Sequence, residues 1–294
     1  MGERDPQPRP IVGSQYVAGG FVVPALLGVE IRFEDNQAPA PVCAALSRER
    51  ALALTVPEIE TTWPMNRLIA DMDALEAEFG RAAGDFDCDG VLNTALQLRG
   101  EQLFVDMLED PAVAERLFEV AAETQLRVAR TVRARTGTSS VSVNRSIVHV
   151  DPAIYLHGNC SVQMVSPALY GRCLLPFELR LAAELAPYGI HHCGDNLHLF
   201  ANRYRETGAV FYDVGWGSDA ARAARELPEA FLNLRLSPVR MLQEKAETIR
   251  ADALGLLEAA GRTARVGLCA INMDHGTPEE NVLAMFRAAE EFSR

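Results

Sequence analysis

The chain has 294 residues, 48% of them hydrophobic and 23% charged, a length that suits one large closed α/β barrel and a composition that excludes a disordered or fibrous protein. Its formal net charge is −12. Non-specific binding to nucleic acid needs basic side chains to replace phosphate counterions, so we expect a small-molecule or protein partner and no nucleic acid.

Residues 1–63 mix glycine, proline and short apolar runs, and we interpret them as an irregular N-terminal part made of loops and short elements. From residue 64 onward, helical periodicity alternates with short β-rich runs. Helices are predicted at 64–82, 111–136, 167–187, 196–207, 239–260 and 278–292, and strands at 139–143, 189–192, 209–214, 231–236 and 265–271. This alternation indicates a parallel sheet wrapped by helices, closed as a barrel or open as a doubly wound sheet.

The six cysteines are scattered without regular spacing, which argues for reduced thiols rather than a secreted disulfide framework. No stretch is long and apolar enough to cross a bilayer, and the first ten residues are charged and proline-rich rather than a basic segment before an apolar one. We therefore predict a cytoplasmic protein without membrane association.

Two potential metal ligands, His191 and Cys193, stand at the end of the strand predicted at 189–192. Alternation along a strand points both side chains to one face and His192 to the other face. Imidazole nitrogen and thiolate sulfur together bind zinc and other borderline-soft ions. The alternative is a buried thiol beside a structural histidine, and the position at a strand end favours the functional interpretation.

A catalytic zinc ion usually has three protein ligands and one open position. Two cysteines are candidates for the third ligand. Cys269 stands near the end of the last predicted strand, and Cys160 precedes the helix predicted at 167–187. For each of them the alternative is a small buried apolar residue.

Three more residues near predicted strand ends are candidate catalytic groups. Asp213 can orient a ligand histidine or accept a proton, or it can serve the turn that follows it. Arg235 suits a substrate carboxylate or phosphate, or an ion pair within the protein. His275 can act as a base or support another group. Neither a glycine-rich phosphate loop nor a corrinoid-binding motif is present, so we predict no cofactor-binding residues for these groups and expect any corrinoid to arrive on another protein.

Several short motifs, in order and spacing, resemble the uroporphyrinogen decarboxylase superfamily, which includes the zinc-dependent methylcobalamin:thiol (coenzyme M-type) methyltransferases. They are Leu98-Arg99-Gly100 with Asp110-Pro111, Ser166-Pro167-Ala168-Leu169-Tyr170 with Leu175-Pro176, His191-His192-Cys193-Gly194, and His275-Gly276-Thr277-Pro278-Glu279-Glu280-Asn281. The resemblance covers roughly residues 85–290. It implies a distorted (β/α)8 TIM-type barrel, and we expect a single domain over 1–294 with a shortened N-terminal region.

The His-x-Cys-Gly element resembles the methyltransferase branch, in which a histidine, the cysteine two residues later and a cysteine near the last strand hold zinc. Carried over, these are His191, Cys193 and Cys269, with Cys160 as the alternative third ligand. The resemblance implies transfer of a methyl group from a corrinoid such as methylcobalamin, held by a corrinoid protein, to a small thiol. Zn²⁺ is the expected cofactor.

Two other functions stay open at this point. One is a cofactor-free decarboxylase of a carboxylated ring compound, with Arg235 and His275 as polarising groups. The decarboxylase branch has an N-terminal arginine-rich stretch, whereas this chain has only Arg4 and Arg9 among its prolines. The other is a non-catalytic relative that binds metal or corrinoid, because fold alone does not establish activity.

Overall fold

A computed structural model describes residues 10–35, 37–136 and 152–294. The strand predicted at 139–143 lies outside the described residues. The chain divides into two compact units, Met1–Tyr155 and Leu156–Arg294, and each is described by itself. The single domain over 1–294 stays a prediction.

Unit 1 is mainly helical and contains four three-residue strands among its described residues. Its elements are β1 Ile11–Gly13, α1 Val22–Leu26, β2 Glu30–Arg32, β3 Ala40–Val42, α2 Arg48–Leu52, α3 Met65–Phe79, β4 Ala83–Asp85, α4 Val91–Arg99, α5 Gln102–Glu109 and α6 Pro111–Thr136. Strands β1 and β4 pair in parallel, and β2 and β3 form an antiparallel pair. The bounds of α6 are those predicted, because its apolar residues recur at helical spacing and are buried.

Unit 2 alternates strands and helices. Its elements are β5 Tyr155–Gly158, which begins at the last residue of unit 1, then α7 Pro167–Cys173, α8 Leu175–Glu184, β6 Tyr188–His192, α9 Leu197–Glu206, β7 Phe211–Val214, α10 Ala220–Glu226, β8 Phe231–Leu236, α11 Pro238–Gln243, α12 Ala246–Ala260, β9 Arg265–Ala270 and α13 Glu279–Phe292. The strand order is β5-β6-β7-β8-β9, and β6 to β9 pair in parallel. Within the described ranges, the hydrogen-bonded strands form separate sheets rather than one closed ring.

Two predicted helices are each divided in the structure. The segment 167–187 forms α7 and α8, and Pro176 in the first turn of α8 has no N–H to continue the hydrogen bonding of α7. The segment 239–260 forms α11 and α12, with Glu244 extended between them. Asn281 of α13 donates hydrogen bonds from Nδ2 to the carbonyl oxygens of Met241 and Glu244. This side chain satisfies backbone groups that the end of α11 leaves open.

The strand register arranges the inward side chains in rows. His191, Asp213, Asn233 and Gly267 are paired across β6, β7, β8 and β9. Side chains two residues apart on a strand share a face. The carboxyl ends of these parallel strands therefore bring their polar residues to one edge of the sheet. None of the helices in the described part of the chain is both long and apolar enough to span a membrane.

Candidate metal centre

The centre of the site is His191, which is only 1% exposed near the end of β6. Its Nδ1 lies 2.7 Å from Oδ2 of Asp213, its neighbour on β7. A carboxylate accepts, so Nδ1 carries the proton and donates it. The other ring nitrogen, Nε2, lies 3.3 Å from Sγ of Cys193; it donates to a thiolate when the ring is protonated and is the nitrogen available to a metal ion when the ring is neutral. A carboxylate that fixes one nitrogen and leaves the other for a metal ion is a common arrangement around zinc-binding histidines.

The neighbouring residue, His192, points to the opposite face, as predicted from strand alternation. It is fully buried, with Nδ1 at 2.7 Å from the hydroxyl of Tyr204 and Nε2 at 2.8 Å from Oδ1 of Asn196. Burial lowers the pKa of His192 to about 4. A neutral ring that donates from Nε2 and accepts at Nδ1 satisfies both contacts. His192 therefore anchors β6 to α9.

A third potential ligand, Cys160, comes from the turn after β5. The ligand atoms of Cys160, His191 and Cys193 all lie within 4.8 Å of one another. Tetrahedral zinc has bonds of about 2.3 Å to sulfur and about 2.0 Å to nitrogen, which sets its ligand atoms roughly 3.5 Å apart. One imidazole and two thiols at these separations fit zinc, and they leave the fourth position for a substrate.

Charges around Cys193 favour its thiolate. The hydrogen bond with Cys160, together with His191 and Arg235, lowers the pKa of Cys193 well below its usual value, although burial acts in the opposite direction. Burial also opposes a charge on His191, but its hydrogen bonds to Asp213 and Cys193 raise its pKa to about 9. Without metal, the site therefore pairs a thiolate with a protonated imidazole.

Arg235, on β8, completes the charged part of the site. It is 6% exposed, and its guanidinium donates a hydrogen bond to Sγ of Cys193 at 3.3 Å. Burial lowers the pKa of Arg235, but the thiolate of Cys193 and the carboxylate of Asp213 raise it above its usual value. The arginine thus offsets the charge of a buried thiolate.

The turn after β6 packs tightly against Gly215, which follows β7. A Cβ atom at Gly215 would lie 2.0 Å from the carbonyl oxygen of Gly194 and 2.7 Å from that of Cys193. Only glycine allows this backbone approach. Ser218 adds a hydrogen bond from Oγ to the oxygen of Gly194 at 3.3 Å. Both contacts fix the turn that carries Cys193.

The other predicted third ligand, Cys269, lies on β9 opposite Arg235. Its neighbour is Asn233, which also donates from Nδ2 to Oδ1 of Asp213 at 2.7 Å. Burial raises the pKa of the Cys269 thiol. Within the described residues, the group that could hold a metal comprises Cys160 and not Cys269. The geometry therefore favours Cys160.

The predicted catalytic residues are only partly brought together. Asp213 and Arg235 contact the metal-ligand candidates directly. His275 is exposed in the loop after β9, and none of the hydrogen bonds found among the described residues joins it to the site. A role for His275 stays a prediction.

Comparisons with known proteins identify the family of this chain. The sequence model of the uroporphyrinogen decarboxylase (URO-D) family matches residues 17–292 of the chain. The chain belongs to the URO-D family. A solved structure described as a methyltransferase from Methanosarcina mazei is similar to it, with 18% sequence identity and a TM-score of 0.68 over 93% of this chain and 78% of the other. No curated protein matches significantly.

The URO-D match and the structural similarity confirm two predictions. One is the resemblance to this superfamily, and the other is the α/β TIM-type barrel class. Parallel strands followed by helices in unit 2 agree with that class.

Sequence reasoning missed two buried residues next to the site of this URO-D family member. His157, which the sequence analysis does not single out, lies in β5 and is 1% exposed. The apolar run before Gly158 is the same signal that predicted the other strands. Glu178, also 1% exposed, lies on α8. Nothing in the local sequence indicates its burial, since glutamate is common on exposed helix faces.

Proposed function

We propose that this chain is a zinc-dependent methyltransferase that moves a methyl group from a corrinoid, carried by a partner protein, to a small thiol. The observation that carries the proposal is the group of Cys160, His191 and Cys193 at the carboxyl end of the sheet. Active sites of TIM-type barrels lie at that end of the strands. Membership of the URO-D family and similarity to a structure named methyltransferase support the proposal.

The metal would be held by Cys160, Cys193 and Nε2 of His191. Zinc bound there would keep a thiol substrate in its nucleophilic thiolate form at neutral pH, although a free thiol has a pKa of about 8.5. Asp213 holds the imidazole in the tautomer and orientation that the metal needs. Arg235 donates to Cys193 and keeps that sulfur fixed as a thiolate.

Metal analysis tests the first part of the proposal. Protein purified without chelator should carry about one zinc ion per chain, because three ligands that lie this close give a preformed site. The variants His191→Ala and Cys193→Ser should lose it. Trace metal in carefully handled wild-type protein would contradict the zinc centre.

Turnover tests the second part. Free methylcobalamin and 2-mercaptoethanol serve as probes, and the rate is the loss of the methylcobalamin absorption. Methyl transfer should be faster with the wild-type protein than with the His191→Ala variant.

The outcomes distinguish the other functions. Stoichiometric zinc without acceleration, across a panel of small thiols, would indicate a metal-binding relative without this activity. Absence of zinc would favour the decarboxylase function instead. In that case buried Arg235 is the group available to bind a substrate carboxylate.

A further inference from the structure

A buried carboxylate lies behind the candidate metal centre. Glu178 accepts hydrogen bonds from Nδ2 of Asn159 at both carboxylate oxygens, at 3.0 and 3.1 Å, and from the hydroxyl of Tyr170 at 2.8 Å. Nε2 of His157 lies 3.8 Å from its Oε1. A buried carboxylate costs several kcal/mol in desolvation, so an apolar residue would pack there more favourably. The position of this group therefore calls for an explanation other than core packing.

Asn159 connects this carboxylate to the metal ligands. It directly precedes Cys160, and its backbone N–H donates to the carbonyl oxygen of His191 at 2.7 Å. The Nδ2 group of its side chain donates hydrogen bonds to the carboxylate of Glu178. Asn159 is 1% exposed, so both contacts are shielded from water. The hydrogen bonds of Asn159 therefore fix the position of the next residue, Cys160, relative to His191.

We propose that Glu178 is a positioning residue for the third metal ligand: it fixes the side chain of Asn159 and thereby holds Cys160 beside His191 and Cys193. The inference rests on the zinc centre of the proposed function. Tyr170 supports the same carboxylate from α7. All the residues involved lie in unit 2.

The chemistry of the three contacts explains why the residue is a glutamate. Asn159 and Tyr170 are both hydrogen-bond donors, and an ionised carboxylate has acceptor sites for all three hydrogen bonds. Burial raises the pKa of Glu178 to about 7, so the group is ionised above that pH. Glutamine has the same size, but its NH₂ group would face one of these donors. Glu178→Gln therefore removes part of the network without leaving a cavity.

Zinc affinity of the purified protein, measured at about pH 8 with a competing chromophoric chelator, is the first readout. Glu178→Gln should bind zinc about 10- to 100-fold more weakly, as expected when a group that orients a ligand is lost. Tyr170→Phe should give a smaller loss, because it removes one hydrogen bond and keeps the carboxylate.

Two matched variants control for these changes. Glu229→Gln alters an exposed glutamate, and Tyr212→Phe removes a buried hydroxyl that makes no hydrogen bond to Glu178 among the described residues. Both should bind zinc like the wild type.

The second readout shows which ligand is affected. In protein loaded with Co²⁺, the sulfur-to-metal charge-transfer absorption reports the number of thiolates bound. Glu178→Gln should lower this absorption towards the value of Cys160→Ser. In the Cys160→Ser background, Glu178→Gln should cause no further loss of zinc affinity, because the two changes then act on one ligand.

Each result has a defined meaning. Wild-type zinc affinity in Glu178→Gln, or losses that add in the double variant, would overturn the positioning role while leaving the zinc centre intact. A wild-type protein that binds no metal would overturn the zinc centre of the proposed function itself, and the positioning role with it. If Glu178→Gln does not fold, as circular dichroism would show, Tyr170→Phe with its own double variant decides the question by the same criteria.

Discussion

The close approach at Gly215 makes a sharp prediction. Gly215→Ala would place a Cβ atom 2.0 Å from the oxygen of Gly194, whereas ordinary contact begins near 3.4 Å. The atoms must separate by about 1.4 Å, and the obstacle is backbone rather than the end of a flexible side chain. The turn that carries Cys193 must therefore move.

The size of this movement sets the expected effects. Functional groups have to be held within about 0.5 Å of their working geometry, so the shift is large for a metal ligand. We expect zinc affinity to fall at least about 100-fold. Overpacking of this kind costs about 1–3 kcal/mol in folding free energy, and we expect the upper end because two strand ends must separate.

Gly255→Ala is the matched control. Gly255 lies in α12, and its added Cβ would meet no atom within 4 Å. Alanine is favoured over glycine in a helix, so this variant should gain about 0.5–1 kcal/mol and keep wild-type zinc affinity. Urea unfolding and chelator competition measure both quantities. Zinc affinity within twofold of wild type in Gly215→Ala would refute the idea that this contact positions Cys193.

Three further predictions concern the same site. Cys160→Ser should lower zinc affinity at least about 100-fold, whereas Cys269→Ser should change it only a few-fold. The reason is that Cys160, and not Cys269, lies with His191 and Cys193 in the group that could hold a metal ion. A chelator titration measures both affinities, and the reverse order would assign Cys269 as the ligand. Asp213→Asn should weaken zinc binding about 10- to 100-fold, and NMR titration of the metal-free protein should show the pKa of His191 falling from about 9; an unchanged pKa would contradict the role of this carboxylate. Glu178 has a folded-state pKa of about 7 against the usual 4.5, so the folded protein binds its proton more tightly and the stability it contributes falls as pH rises between those values. The unfolding free energy of wild type relative to Glu178→Gln should accordingly drop by about 3 kcal/mol from about pH 4 to about pH 8, and a difference independent of pH would exclude a titration of Glu178 in this range.

Local patterns in the sequence were enough to predict much of unit 2 and the long helix of unit 1. The helix at 111–136 and the strand at 231–236 have the predicted bounds, because apolar residues at spacings of 3.6 and short β-rich runs are local signals. The direction of His191 and Cys193 also followed from strand alternation. The short helices α4 and α5 were missed because Gly100, with a φ of 69°, interrupts their periodicity.

Other features depend on residues that are far apart in the chain. The break between α11 and α12 is stabilised by Asn281, about 40 positions away from the carbonyl groups it binds. No local signal distinguishes this break from a continuous helix.

The sequence by itself determined the alternation of strands and helices in unit 2 and the His191-x-Cys193 pair, because periodicity is a property of neighbouring residues. The TIM-type barrel class came from the resemblance of its motifs to a known superfamily, since the alternation alone also allowed a doubly wound sheet. Only the tertiary structure decided that Cys160 meets this pair and that Glu178 is buried behind it. Both outcomes depend on the pairing of β5 with β6 and on the hydrogen bonds between Glu178 of α8 and Asn159, which follows β5. These contacts join segments that are separate in the chain, so no single segment contains them.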